Sequence, residues 1–62
     1  MTVRDIIKLI EKGGWRKIAT KGSHRQFKHP TKPGKVTVPG QMSQDLPAGT
    51  EKSILTQAVL KP

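Results

Sequence analysis

Cysteine is absent from the 62-residue chain, which excludes a disulfide framework and any thiolate metal site. Tyrosine is absent as well, and Trp15 and Phe27 are the only tryptophan and phenylalanine. No stretch approaches the roughly 20 apolar residues of a membrane-spanning helix. The opening Met1-Thr2-Val3-Arg4-Asp5 lacks the apolar run of a signal peptide, so a soluble, cytoplasmic protein with no membrane partner is expected. Low-complexity segments and internal repeats are also missing. The length suits one domain spanning residues 1–62, and such a chain buries only about 60% of its unfolded surface. The bulky apolar residues, Leu9 and Ile18 among them, suffice for one layer between helices and a small sheet. They leave no material for an internal cavity, so no cofactor is expected.

Negative charge is the other scarcity. Twelve lysines and arginines face four carboxylates, giving a net charge of +8. From Lys12 to Gln44 there are eight basic residues and no acid. A field this strong and this concentrated points to a polyanionic partner, most simply nucleic acid. The plainer alternative is a basic surface that only keeps the protein in solution.

Thr2 can cap a helix, with Asp5 three residues on as a short version of the capping-box glutamate. Val3, Ile6, Ile7 and Ile10 then recur at the spacing of one apolar helical face. Gly13-Gly14 ends that helix near Lys12, because glycine takes the left-handed conformation cheaply. Trp15 to Thr20 suits a strand, Lys21-Gly22-Ser23 a tight turn, and His24 to His29 a returning strand. Pro30 to Gly34 is irregular, and Lys35 to Val38 alternates as a half-buried third strand. Thr50 is positioned to cap a second helix whose apolar face is Ile54, Leu55 and Ala58. The expected fold is α+β: an α-β-β-β-α two-layer sandwich with two helices on one face of a three-stranded antiparallel sheet.

Strand parity separates the chemistry-bearing residues. If Phe27 faces the helices, Arg25 and His29 nominally share its side, and His24, Gln26 and Lys28 point away. Val36 and Val38 turn inward, leaving Lys35 and Thr37 outside. His24 should therefore be accessible on a basic surface beside a glycine. Metal binding is disfavoured, since His24 and His29 fall on opposite faces and the acids are remote. Asp5, Glu11, Asp45 and Glu51 have no forced pairing, adjacent Ser23 and His24 point apart, and no phosphate-loop motif occurs. A lone histidine in a cationic field does fit RNA cleavage, because RNA carries its own nucleophile in the 2′-hydroxyl. That reaction needs a base, an acid and cations around the phosphorane. A histidine can serve either proton role, and Lys21, Arg25 or Lys28 could hold the phosphate.

The ordered segments Gly14-Trp15, Lys21-Gly22-Ser23-His24-Arg25-Gln26-Phe27, Val36-Thr37-Val38-Pro39-Gly40, Asp45-Leu46-Pro47, Gly49-Thr50 and Ser53-Ile54-Leu55-Thr56-Gln57-Ala58 resemble the HicA toxins. These are small mRNA interferases of toxin–antitoxin pairs, and the resemblance covers nearly the whole chain. It implies a double-stranded-RNA-binding-like fold, in agreement with the element order above. It also implies a catalytic histidine at His24, metal-independent endoribonuclease activity on mRNA, and a neutralising antitoxin of the HicB type. The candidate RNA-binding residues around His24 are Lys21, Ser23, Arg25, Lys28 and Lys35. Two positions depart from the family pattern. Gln41-Met42 stands where a basic residue or histidine often follows the Pro-Gly, which implies weaker RNA binding if that position contacts the substrate. Ala58-Val59-Leu60 replaces the common Ala-Gly-Leu, a change at the C-terminal cap. For Trp15 and Phe27, core packing is preferred over base stacking. The competing functional reading is a non-catalytic module of the same fold that holds RNA or an acidic protein by electrostatics alone.

Overall fold

The structure, a computed structural model, describes residues 1–58. Its elements are α1 (Val3–Lys12), β1 (Arg16–Lys21), β2 (His24–Lys28), β3 (Val36–Val38) and α2 (Ala48–Gln57). The sheet is antiparallel in the order β1-β2-β3. One core joins Val3, Ile6, Ile7 and Ile10 of α1, Trp15, Phe27 of β2, Val36 and Val38 of β3, and Ile54 and Ala58. The helices thus cover one face of the sheet, giving the α-β-β-β-α sandwich expected from the sequence. The departure at Val59 and Leu60 lies outside the described residues.

The apolar spacing of α1 buries all four residues it nominates. Leu9 falls off that stripe and is 37% exposed, so it is no part of the core. The orphan N–H groups of the first turn are all satisfied. The Val3 and Arg4 amides donate to the carbonyls of Gln44 and Met42 at 2.9 and 3.0 Å. Thr2 and Asp5 form the capping box, the Asp5 amide donating to Thr2 Oγ1 and the Thr2 amide to Asp5 Oδ2. These bonds tie the loop after β3 to the start of α1 and so fix the helix across the sheet.

Helix α2 begins earlier than its sequence suggests. Its N-cap is Pro47, with no side-chain cap, and Thr50 lies inside the first turn. The cause is tertiary. Asp45 bridges Thr2, and the Leu46 amide donates to the Met1 carbonyl, so the chain is held extended up to Pro47. The fixed φ of proline then delivers the backbone into the helix directly.

The β1–β2 register carries the main surprise. Lys21 pairs with His24, Thr20 with Arg25 and Ala19 with Gln26, but Lys17, not Ile18, pairs with Phe27. Ile18 is an unpaired extra residue, a β-bulge, and is 52% exposed where an apolar strand residue would be expected to pack. The bulge shifts the rest of β1 by one residue. Arg16 therefore comes opposite Lys28, on the face away from the helices.

Candidate functional site

Lys21 and His24 close the β1–β2 hairpin around Gly22-Ser23. Gly22 has φ 60°, the left-handed conformation that two-residue hairpin loops demand and glycine adopts without strain. The turn makes Lys21 and His24 direct cross-strand neighbours, with Cβ atoms about 5 Å apart in such pairs. His24 is exposed. Among the described residues its ring has no hydrogen-bond partner, so both nitrogens are open to a ligand.

Register and parity arrange the face around His24 into three rows. The first holds Lys21 and His24. The second holds Ala19, Gln26 and Thr37, and the third Arg16 and Lys28. Continuing the β2–β3 register by one residue brings Lys35 beside Lys28. No cation on this face is neutralised: among the described residues the single ion pair joins the N-terminal amine to Glu51, at 3.6 Å. Ser23 is exposed in the turn next to His24.

The remaining candidates belong to the other face. Arg25 shares the side of Phe27 and is half-buried. Its Nη1 donates to the carbonyls of Gly40 at 2.6 Å and Ser23 at 3.4 Å. Its charge secures the Pro39-Gly40 turn and is not brought together with His24. Its position on the helix side follows the parity that the sequence already suggested. His29 is likewise structural. Its Nδ1 accepts the amides of Thr31 and Lys32, both at 3.1 Å, which fixes Nε2 as the protonated nitrogen that donates to the Gly13 carbonyl at 2.9 Å. Its ring also meets Trp15 edge-on at 5.3 Å. Trp15 is buried, its Nε1 donating to the Ala58 carbonyl at 3.1 Å, and Phe27 is buried beside the valines of β3. Both aromatics are core residues.

Neither histidine takes part in a metal-like cluster: among the described residues no three histidine or carboxylate side chains converge. A cleft lined by Ile7, Glu11, Lys17, Arg25, Phe27 and Met42 opens on the helix side of the sheet. His24 stands instead on an open surface, a shape suited to a polymer more than to an enclosed small molecule. Arg16, Gln26 and Thr37 were not among the candidates nominated from sequence. Gln26 and Thr37 could have been found by parity alone, whereas Arg16 depends on the bulge at Ile18.

An accessible imidazole beside an ammonium group can move a proton at a phosphodiester while the cation offsets charge on the phosphate. The comparisons with known proteins bear on what that arrangement serves. No curated relative matches the chain. A family model described as the HicA toxin of bacterial toxin–antitoxin pairs matches residues 3–60. The match takes in the hairpin, the basic sheet face and both helices, and the chain belongs to the HicA toxin family.

Proposed function

We propose that this toxin is a metal-independent endoribonuclease that cleaves mRNA in the cytoplasm, with His24 as its proton-transfer group. The observation that carries the reading is the contrast between the two histidines. His29 has both ring nitrogens engaged by the backbone, whereas His24 is exposed, unengaged among the described residues and paired across the hairpin with Lys21. In the reaction the RNA 2′-hydroxyl gives up its proton and its oxygen attacks the adjacent phosphorus. The bond from phosphorus to the 5′-oxygen breaks, and that oxygen takes a proton. His24 serves as the base or the acid, and Lys21 offsets the charge on the phosphorane. Ser23 beside the turn and Lys28 and Lys35 farther along the sheet hold the RNA, while Arg25 supports the loop behind the sheet.

The same exposed cationic face suits an acidic partner, and a HicB-type antitoxin covering it would block the RNA site. A net charge of +8 makes such a complex favourable in itself, because neutralisation relieves self-repulsion in so small a domain.

The test is incubation of the purified protein and its His24→Ala variant with a long single-stranded RNA in EDTA, followed by mapping of the ends. Wild-type protein should leave 2′,3′-cyclic phosphate and 5′-hydroxyl ends. The variant should lose about 10²–10⁴-fold in rate while its stability stays within about 0.5 kcal/mol of wild type. Binding by both proteins with cleavage by neither would favour the non-catalytic module.

A further inference from the structure

We propose that Arg16, Lys28 and Lys35 form a separate phosphate anchor at the far end of the exposed sheet face, and that substrate RNA runs along β2 from this anchor to His24. The inference rests on the reading of this face as an RNA site and adds a direction and a second subsite to it. Lys28 and His24 are four residues apart on one strand, which places the anchor about 14 Å from the histidine at 3.4 Å per residue. One phosphate cannot span that separation, so the anchor holds a different phosphate from the one that is cleaved.

The composition of the rows supports the division. Arg16 and Lys28 are paired by register, Lys35 continues the row across β3, and the three strands together cover about 10 Å. Three cations in one row repel each other, and among the described residues none has a carboxylate partner. An anion placed over the row relieves that repulsion. The middle row, Ala19-Gln26-Thr37, carries no charge. Ala19 leaves room above the sheet, and among the described residues the Gln26 amide has no hydrogen-bond partner. A nucleotide crossing from one cationic row to the other therefore lies over Gln26, a donor and acceptor that can meet a base edge or a ribose. The bulge at Ile18 is what completes the anchor: unbroken alternation back from the Lys21–His24 pair would put Lys17 beside Lys28 and turn Arg16 toward the helices.

The test uses a fluorescent single-stranded RNA of twelve nucleotides, with affinity read by anisotropy against salt. Every protein carries His24→Ala so that binding is measured without turnover. The row variant adds Arg16→Gln, Lys28→Gln and Lys35→Gln. A control adds Arg4→Gln, Lys8→Gln and Lys12→Gln on α1, the same loss of charge at exposed positions of the helix layer. The row variant should bind at least tenfold more weakly than the control at about 0.1 M salt. Its plot of log affinity against log salt should be shallower by about 0.7 for each phosphate released. Equal losses in the two triple variants would overturn the anchor, even if the row variant also weakened antitoxin binding. Circular dichroism of each variant establishes that it is folded. Because no cleavage is involved, failure of the anchor is distinguishable from failure of the nuclease reading, which the end-mapping experiment tests alone.

Discussion

Replacing His29 by alanine should cost this protein a large share of its stability. The ring supplies one hydrogen bond to the Gly13 carbonyl and accepts two backbone amides, with an edge contact to Trp15 in addition. Each hydrogen bond is worth about 1 kcal/mol net, less for the exposed Thr31 amide, which water can satisfy. The aromatic contact adds about 0.5–1.5 kcal/mol. The sum is about 2–4 kcal/mol. At about 0.05–0.15 kcal/mol per residue, a 62-residue domain has roughly 3–9 kcal/mol to lose. Urea unfolding followed by the fluorescence of Trp15, the only tryptophan, measures the change directly. The midpoint should fall with the slope unchanged. A loss under about 1 kcal/mol would refute the reasoning.

The neighbouring glycine sharpens the test. A Cβ on Gly14 would lie 2.6 Å from His29 Nε2, and its φ of 100° is strained for any other residue. In wild type, Gly14→Ala meets both penalties. With His29→Ala already present the clash is gone, and only the backbone strain of about 1–2 kcal/mol is left. The two substitutions should therefore be less than additive by about 1 kcal/mol or more. Strict additivity would mean that the imidazole does not occupy the space beside Gly14.

Two further perturbations follow from the same structure. Trp15→Phe keeps an aromatic side chain but removes the indole N–H and part of the buried ring volume, leaving the buried Ala58 carbonyl without its donor, so thermal unfolding should show a loss of at least about 1–3 kcal/mol; an unchanged midpoint would remove this tie between the sheet's end and α2. The Thr2 amide, and then the Thr2 hydroxyl, hold the Asp5 carboxyl below its ordinary value of 3.8. A depressed folded value means that the stabilisation is full above 3.8 and is lost as pH falls below it toward the folded value. Asp5→Asn should therefore flatten the dependence of stability on pH in that acid window alone; an unaltered slope there would assign the acid sensitivity elsewhere.

What could be read in advance was what depends on local period. Val3, Ile6, Ile7 and Ile10 announce a buried helical stripe, and Thr2 with Asp5 announces its cap, because both are set within a few residues of chain. The alternation of Val36 and Val38 likewise assigns β3. The failures are tertiary. Thr50 is a good capping residue, but Asp45 and Leu46 are paired with the N-terminus, and that pairing sets where α2 begins. Ile18 has the chemistry of a core residue and sits in a strand, yet the bulge removes it from the ladder. No residue in Arg16–Lys21 marks that irregularity, so neither the exposure of Ile18 nor the placement of Arg16 beside Lys28 could be anticipated.

The two histidines show how little sequence distance separates a displayed side chain from a fixed one. They lie five residues apart, an odd number, so a strand turns them to opposite faces. That parity turns His24 away from the helices, and His29, one residue past the end of β2, toward them. The irregular Pro30–Gly34 segment then folds its first amides onto His29 Nδ1, and the end of α1 offers a carbonyl to Nε2. Among the described residues no comparable hydrogen bond reaches His24, and the turn residues Gly22 and Ser23 have no long side chain to offer one. Its partner across the hairpin is Lys21. The four acids all lie outside the segment from Lys12 to Gln44, so no carboxylate of that segment stands on this face. A carboxylate on this face would pair with Lys21 or His24 and occupy the position that the RNA phosphate is proposed to take.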